Sequence, residues 1–285
     1  MTACFDAAAR ADFARLYPEH PGILRHGLAD HPAFGLEALA RLAQRMRAQD
    51  VEQNVGDLPI GVDPAAVRHN GLSVTETIRG IEECGAWMVL KFVEQDAEYR
   101  ALMEGALGEL HDTVSAATGA MLKMEAFIFV SSPHAITPFH FDPEHNILLQ
   151  IRGNKVMTMF PADDEGIVDG RSHEAFHLGG HRNLPYAAAM AERGRPFALS
   201  SGEAVYVPVK APHWVRNGDA PSVSFSITWR SEWSYREADA RGLNALLRRA
   251  GLNPAAPGRH PAQNRAKSLA WRAISRARRI AGRGA

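Results

Sequence analysis

The sequence predicts an α+β fold in which a barrel or sandwich of short β-strands carries helices packed outside it. Two observations carry this. Between Leu122 and Trp229 the apolar residues fall into short β-type runs punctuated by glycine and proline. Before that stretch, and again near the C-terminus, they recur at the spacing of amphipathic helices. With 285 residues, 46% of them hydrophobic and 22% charged, the chain suits one large domain with helical additions and can bury a sizeable core.

Taken in order, Phe5, Ala9, Phe13 and Leu16 share one helical face, as do Leu36, Leu39, Leu42 and Met46 after Pro32. Ser73 and Glu76 mark a helix start, and Gly85 a stop beyond Ile78 and Ile81. Residues 86–92 read as a buried strand, and Asp96 caps one helix that runs through Leu102, Leu107 and Leu110 to about Ala117. Strands are expected at 125–130 and 137–141. The runs 146–151 and 156–160, joined by the turn 152–155, read as a hairpin. A loop-rich stretch follows, with a helix near 187–192, before strands at 197–199, 204–207 and 223–229. No internal repeat is visible. The organisation expected is a mixed helical part over 1–119, a barrel over 120–232 and a basic helical tail over 233–285.

Cys4 and Cys84 are too few and too far apart for a disulfide framework or a zinc finger, which points to a reducing compartment. Acidic residues stand where a signal peptide needs an apolar run. No uninterrupted apolar stretch approaches the roughly 20 residues that cross a bilayer. A soluble, cytoplasmic protein is the expectation.

The segment 137–142, Thr-Pro-Phe-His-Phe-Asp, is the most informative. Residues two apart on a strand point the same way, so His140 and Asp142 should aim an imidazole and a carboxylate into one cavity. His213, beyond the turn at 201–203 and the strand that ends at Pro208, is the best third ligand. Two histidines and one carboxylate on one side of a metal leave positions open opposite, the arrangement of non-haem Fe(II) oxygenases. His134, His145, His173, His177 and His181 show how easily such patterns arise in this chain, and the glycines around His173 and His177 favour a loop there.

Residues 120–232 as a whole resemble the JmjC-type, or cupin-like, Fe(II)/2-oxoglutarate dioxygenases, in pattern most like its asparaginyl hydroxylases. Thr137, Pro138, His140, Asp142, Asn146, Gly153, Lys155, Phe160 and Pro161 fall in the family's order and spacing, and His213 follows a similar Gly-Glu turn and Tyr-Val-Pro strand. The resemblance implies a double-stranded β-helix (cupin, or jelly-roll, barrel) with flanking helices, Fe(II) at His140, Asp142 and His213, and 2-oxoglutarate as cosubstrate. It also implies that Lys155 meets the far carboxylate of 2-oxoglutarate, with Thr137 and Asn146 as further donors. Where those hydroxylases carry an asparagine on the last barrel strand, this chain offers Ser226 or Thr228.

From Arg241 onward the chain holds 11 of its 32 basic residues and none of its 32 acidic ones. After a Pro- and Gly-containing linker at 251–260, residues 262–282 read as a helix with Arg265, Arg272, Arg276, Arg279 and Arg283 on one face. Ala266, Leu269, Ala273, Ala277 and Ile280 form a stripe beside them. Docking on its own acidic body or in a homodimer is the expectation, ahead of nucleic acid or membrane, because alanines bury little area. The leading function is a dioxygenase acting on a protein side chain or small molecule. The alternatives are a cupin metalloenzyme that makes no use of Lys155, and a non-catalytic binding module.

Overall fold

The computed structural model describes residues 3–61 and 70–281. Its first part holds helices α1 (Ala7–Leu16), α2 (Leu36–Arg45), α3 (Val74–Arg79), α4 (Ala97–Gly108) and α5 (His111–Thr118). Their starts obey local chemistry. Asp6 accepts from the Ala9 amide, Asp96 from that of Glu98, and Ser73 with Glu76 closes a capping box. The single helix expected after Asp96 is broken at Glu109 and Leu110. Gly105 and Gly108 weaken its last turn, and the Glu109 carboxylate is drawn off to the amides of Cys4 and Phe5.

The strands are β1 (Gly22–Arg25), β2 (Val51–Val55), β3 (Ala86–Lys91), β4 (Met121–Ser131), β5 (Ile136–His140), β6 (His145–Arg152), β7 (Lys155–Met159), β8 (Arg195–Leu199), β9 (Glu203–Val207), β10 (His213–Asn217) and β11 (Ser222–Ser231). They form a larger sheet in the order β1-β9-β6-β11-β4-β3-β2 and a smaller one in the order β5-β10-β7-β8. Every pairing is antiparallel. Three of these strands, β1, β2 and β10, were not marked by the sequence reading.

The two sheets face one another as a double-stranded β-helix. β6 alternates across the larger sheet: Ile147, Leu149 and Ile151 join the core under the helices, while Leu148 packs between the sheets with Met157, Met159, Val205, Val207 and Val215. β11 does the same more sharply. Val223, Phe225, Ile227 and Trp229 face the helices, and the hydroxyls of Ser224, Ser226 and Thr228 face the barrel, all of them buried.

The hairpin expected from residues 146–160 does not form. β6 pairs with β11 and β9 in the larger sheet, and β7 with β10 and β8 in the smaller one. The turn between them therefore carries the chain from one sheet to the other. Gly153 makes the corner possible: its φ is +73°, and a Cβ there would run into the Pro221 carbonyl.

Helix α6 (Gly170–Phe176), capped by Asp169, contains His173 where a loop was expected. It packs on α7 (Glu232–Arg249), against which α8 (Arg265–Ala281) also lies. Between α7 and the barrel sits a buried ionic cluster. Lys210 Nζ lies 3.0 Å from Glu237 Oε2, and Arg241 Nε donates to Glu237 Oε1 at 2.8 Å. Burial pushes the Glu237 carboxyl up, but Lys210 and Arg241 outweigh it and hold it well below the ordinary range. Among the described residues no helix is long and apolar enough to cross a membrane.

Removing Glu237 would strand two buried cations, whereas Lys210→Met leaves Glu237 with Arg241. Glu237→Gln should therefore cost about 3–5 kcal/mol of stability, and Lys210→Met clearly less, in urea unfolding monitored by circular dichroism. Equal losses in the two variants would contradict this account.

Candidate active site

His140 ends β5, and His213 opens β10 directly opposite it. His213 follows the strand that ends near Pro208, as expected, and in addition opens a strand of its own that pairs with β5. Asp142 lies two residues beyond the end of β5, so strand alternation does not by itself aim it. The turn is held by the Lys210 amide, which donates to the Asp142 carbonyl at 2.7 Å.

The three side chains nonetheless converge. Their ligand atoms all lie within 4.8 Å of one another, with Asp142 Oδ2 at 3.7 Å from His140 Nε2 and 3.9 Å from His213 Nε2. The imidazoles are oriented by their backbone. His140 Nδ1 is 2.7 Å from the Pro138 carbonyl and His213 Nδ1 2.9 Å from that of Ala211. A carbonyl only accepts, so each Nδ1 carries the proton and each Nε2 presents a lone pair to the same point. Burial, with His213 beside it, lowers the His140 pKa to about 4, which keeps this imidazole neutral near pH 7.

Arg182, a residue to which no sequence motif points, completes the arrangement. Its Nη1 donates to Asp142 Oδ1 at 2.7 Å, which occupies one carboxylate oxygen and leaves Oδ2 toward the imidazoles. Backbone bonding puts it there: Leu184 N donates to Phe139 O at 2.8 Å, and Asn183 bridges to His140 along the free edge of β5. Two lone pairs and an anionic oxygen facing one point suit a divalent cation.

A second polar group lies further along the barrel. Lys155 opens β7 in register with Asn217 of β10, and its side chain is only 5% exposed. Among the described residues its ammonium has neither a hydrogen bond nor an ion pair, and burial alone pushes its pKa down to about 7. Asn217, also buried, has an Oδ1 without a partner. No sequence signal points to it, because an asparagine at a strand end is ordinarily a turn residue.

The remaining residues named from sequence line the same interior. A bulge in β5 lets Thr137 face inward opposite Val215 although it is three residues from His140. Its Oγ1 accepts from Trp87 Nε1 at 2.9 Å, so its own proton is free to donate. Asn146 Oδ1 accepts from Ser226 Oγ at 2.8 Å, which leaves Nδ2 to donate. Thr228 pairs with Asn146 in register, and its hydroxyl lies 3.4 Å from the Glu125 carbonyl.

Three further histidines have different surroundings. His145 is on the helix side of β6, stacked on Trp229 at 5.3 Å and bonded to Tyr206 Oη and Ser231 Oγ. His173 and His177 lie by the Lys210 and Glu237 cluster, where burial depresses their pKa values to about 2 and about 3. Asp142→Ala should consequently weaken Mn(II) or Co(II) binding by more than about 100-fold in calorimetry, beyond what outer-shell changes cause. His145→Gln should leave metal affinity intact and lower stability, and the reverse pattern would overturn the assignment.

The family profile of the cupin-like domain matches residues 81–235. The Jumonji C domain-containing protein 5 of Drosophila melanogaster is 31% identical over 104 residues, which are 33% of this chain and 25% of that protein. The lysine-specific demethylase JMJ30 of Arabidopsis thaliana is 31% identical over 103 residues, 34% of this chain and 24% of that protein. The matched segment thus spans about a quarter of the length of these curated relatives. Among solved structures, that of E. coli ycfD superposes with a TM-score of 0.50 at 18% identity, covering 93% of this chain and 66% of that one. The profile spans more than half of the chain and includes both sheets' site strands, so the chain belongs to the cupin-like domain family.

Proposed function

We propose that the chain is an Fe(II)- and 2-oxoglutarate-dependent dioxygenase that hydroxylates a protein side chain or a small molecule. One observation carries this reading: the unpartnered Lys155 ammonium in the same barrel interior as the His140, Asp142 and His213 constellation. A cupin that only held a metal would have no use for a buried lysine without a counter-charge. The Jumonji C relatives support the same class. The free thiols of Cys4 and Cys84 are in keeping with the reducing, cytoplasmic setting we assign.

In this reading His140, Asp142 and His213 hold the metal from one side, and Arg182 keeps Asp142 from turning. Ferrous iron held there supplies the oxygen-activating chemistry, balanced by the oxidative decarboxylation of 2-oxoglutarate to succinate. Lys155 neutralises the far carboxylate of the cosubstrate, a charge-assisted bond about twice as strong as a neutral one. Thr137 and the Asn146 amide donate beside it. Ser226 and Thr228 occupy the wall where related hydroxylases carry an asparagine. The apolar packing of Leu148, Val207 and Met159 excludes water from the rest of the interior.

Lys155→Met should weaken 2-oxoglutarate binding to the Mn(II)-loaded protein by a factor on the order of hundreds to thousands, since breaking such a pair costs about 3–5 kcal/mol. Metal affinity should change little, and the ligand-free variant should be more stable than wild type because an unpaired buried charge is gone. Unchanged 2-oxoglutarate affinity would sink the role of Lys155. No binding by the wild type would favour a cupin metalloenzyme of another class.

The depressed pKa adds a signed pH dependence. The ammonium is the binding form, so 2-oxoglutarate affinity should fall as pH rises through about 7, approaching tenfold per unit above it. Binding above that pH takes up a proton, visible as a buffer-dependent heat in calorimetry. A pH-independent affinity between 6.5 and 8.5 would show that the lysine does not titrate there.

A further inference from the structure

Helix α8 has two faces, and only one of them is used. Toward α7, Ser268 Oγ donates to Asp239 Oδ2 at 2.6 Å, and Lys267 Nζ reaches Asn244 Oδ1 at 2.8 Å. The Trp271 ring lies over Gly242 so closely that a Cβ on that glycine would meet it. At the border Arg272 pairs with Asp239 at 2.6 Å.

The opposite face, at 100° per residue, carries two parallel stripes. One is Arg265, Arg272, Arg276 and Arg279, and the other is Leu269, Ala273, Ala277 and Ile280. Leu269 is 69% exposed and Ile280 66%. Arg265, Arg276, Arg278 and Arg279 make no ion pair with the described residues. The chain from Arg241 onward contains no acidic residue that could neutralise them.

We infer that this outward face of α8 rests on the surface of an anionic lipid bilayer. The helix is 17 residues long, about 26 Å at 1.5 Å per residue, and offers guanidinium groups beside exposed aliphatic side chains along its whole length. Lipid phosphates suit the first and the acyl boundary the second. A nucleic acid would engage the arginines but leave Leu269 and Ile280 in water. The docked face also fixes orientation. With Arg265, Arg276, Arg278 and Arg279 outside the ion pairs and no acidic residue in the helix, α8 turns toward a negative surface, while the acidic surplus of the body turns away. Small alanines limit insertion, so the contact is reversible and sensitive to salt.

The test is partitioning of the full chain onto vesicles of phosphatidylcholine alone and of phosphatidylcholine with phosphatidylglycerol at 3:1, in low and high salt, alongside a duplex RNA of mixed sequence. Binding is expected to the anionic vesicles only and to disappear in high salt. At roughly fivefold per arginine near such a surface, Arg276→Gln with Arg279→Gln should lower partitioning about 25-fold. Leu269→Ser with Ile280→Ser should also lower it, while α7 contacts and the thermal unfolding midpoint stay as in wild type. Absence of vesicle binding overturns the inference. So does vesicle binding that ignores the two aliphatic substitutions, or RNA binding tighter than vesicle binding.

Discussion

A lysine enclosed in a barrel without an acid beside it is an unfavourable arrangement, because the charged form loses its hydration and gains no partner. The walls around Lys155 are organised so that it persists. β7 is paired on both sides, by β10 and β8, and Lys155 lies on its inner face with Met157 and Met159, buried against the other sheet. The facing sheet contributes hydroxyls and amides that bond mainly to one another, as Ser226 does to Asn146 and Ser224 to Gln150. The wall that faces the lysine is thus polar without being anionic. The His140, Asp142 and His213 constellation is set apart from the cation by the length of β7, since His213 pairs with Met159 and Lys155 with Asn217.

Much of this was legible in the residues. The motif from Thr137 to Asp142, and the order of Asn146, Gly153 and Lys155 after it, lead to the positions the structure places in one interior. The strict alternation of 222–229 was legible as a strand, but its meaning was not. A period-two pattern ordinarily puts the polar side in solvent, and here Ser224 and Ser226 are buried. The apparent hairpin at 146–160 misled for a related reason. Two strands and a Gly-Asn turn look alike whether the strands pair or diverge into facing sheets, and only the distant Pro221 carbonyl at Gly153 tells them apart. Arg182 and Asn217 gave no local signal. Arg182 acquires its place by backbone pairing along β5, and Asn217 by register with Lys155.

Behind His140, Asp142 and His213 the structure is held by charge. Lys210 adopts a left-handed conformation, φ +60°, with its amide on the Asp142 carbonyl and its ammonium on Glu237 of α7. Such a backbone conformation is uncommon outside glycine and asparagine and persists where its surroundings over-determine it. The loop that delivers His213 is in this way fastened to a helix that follows the last strand. Phe141, between His140 and Asp142, meets the tilted ring of His173 of α6 at 4.7 Å, and α6 is joined to α7 through Glu174 and Arg248. The geometry of the site thus depends on helices that contribute no ligand to it.

The seating of α8 is of a different kind. It relies on one aromatic wedge over Gly242 and a few polar ties, with little apolar burial beyond Trp271. An element tied by few apolar groups should open at a lower free energy than global unfolding requires. Its amides would exchange with solvent deuterium well before those of β11, whose residues are all buried between helices and barrel. The molecule would then behave as two cooperative units of unequal stability, a barrel with its helices that exchanges slowly and a terminal helix that exchanges fast. Because the wedge needs a bare backbone beneath it, the residue at 242 sets how often that helix lifts away.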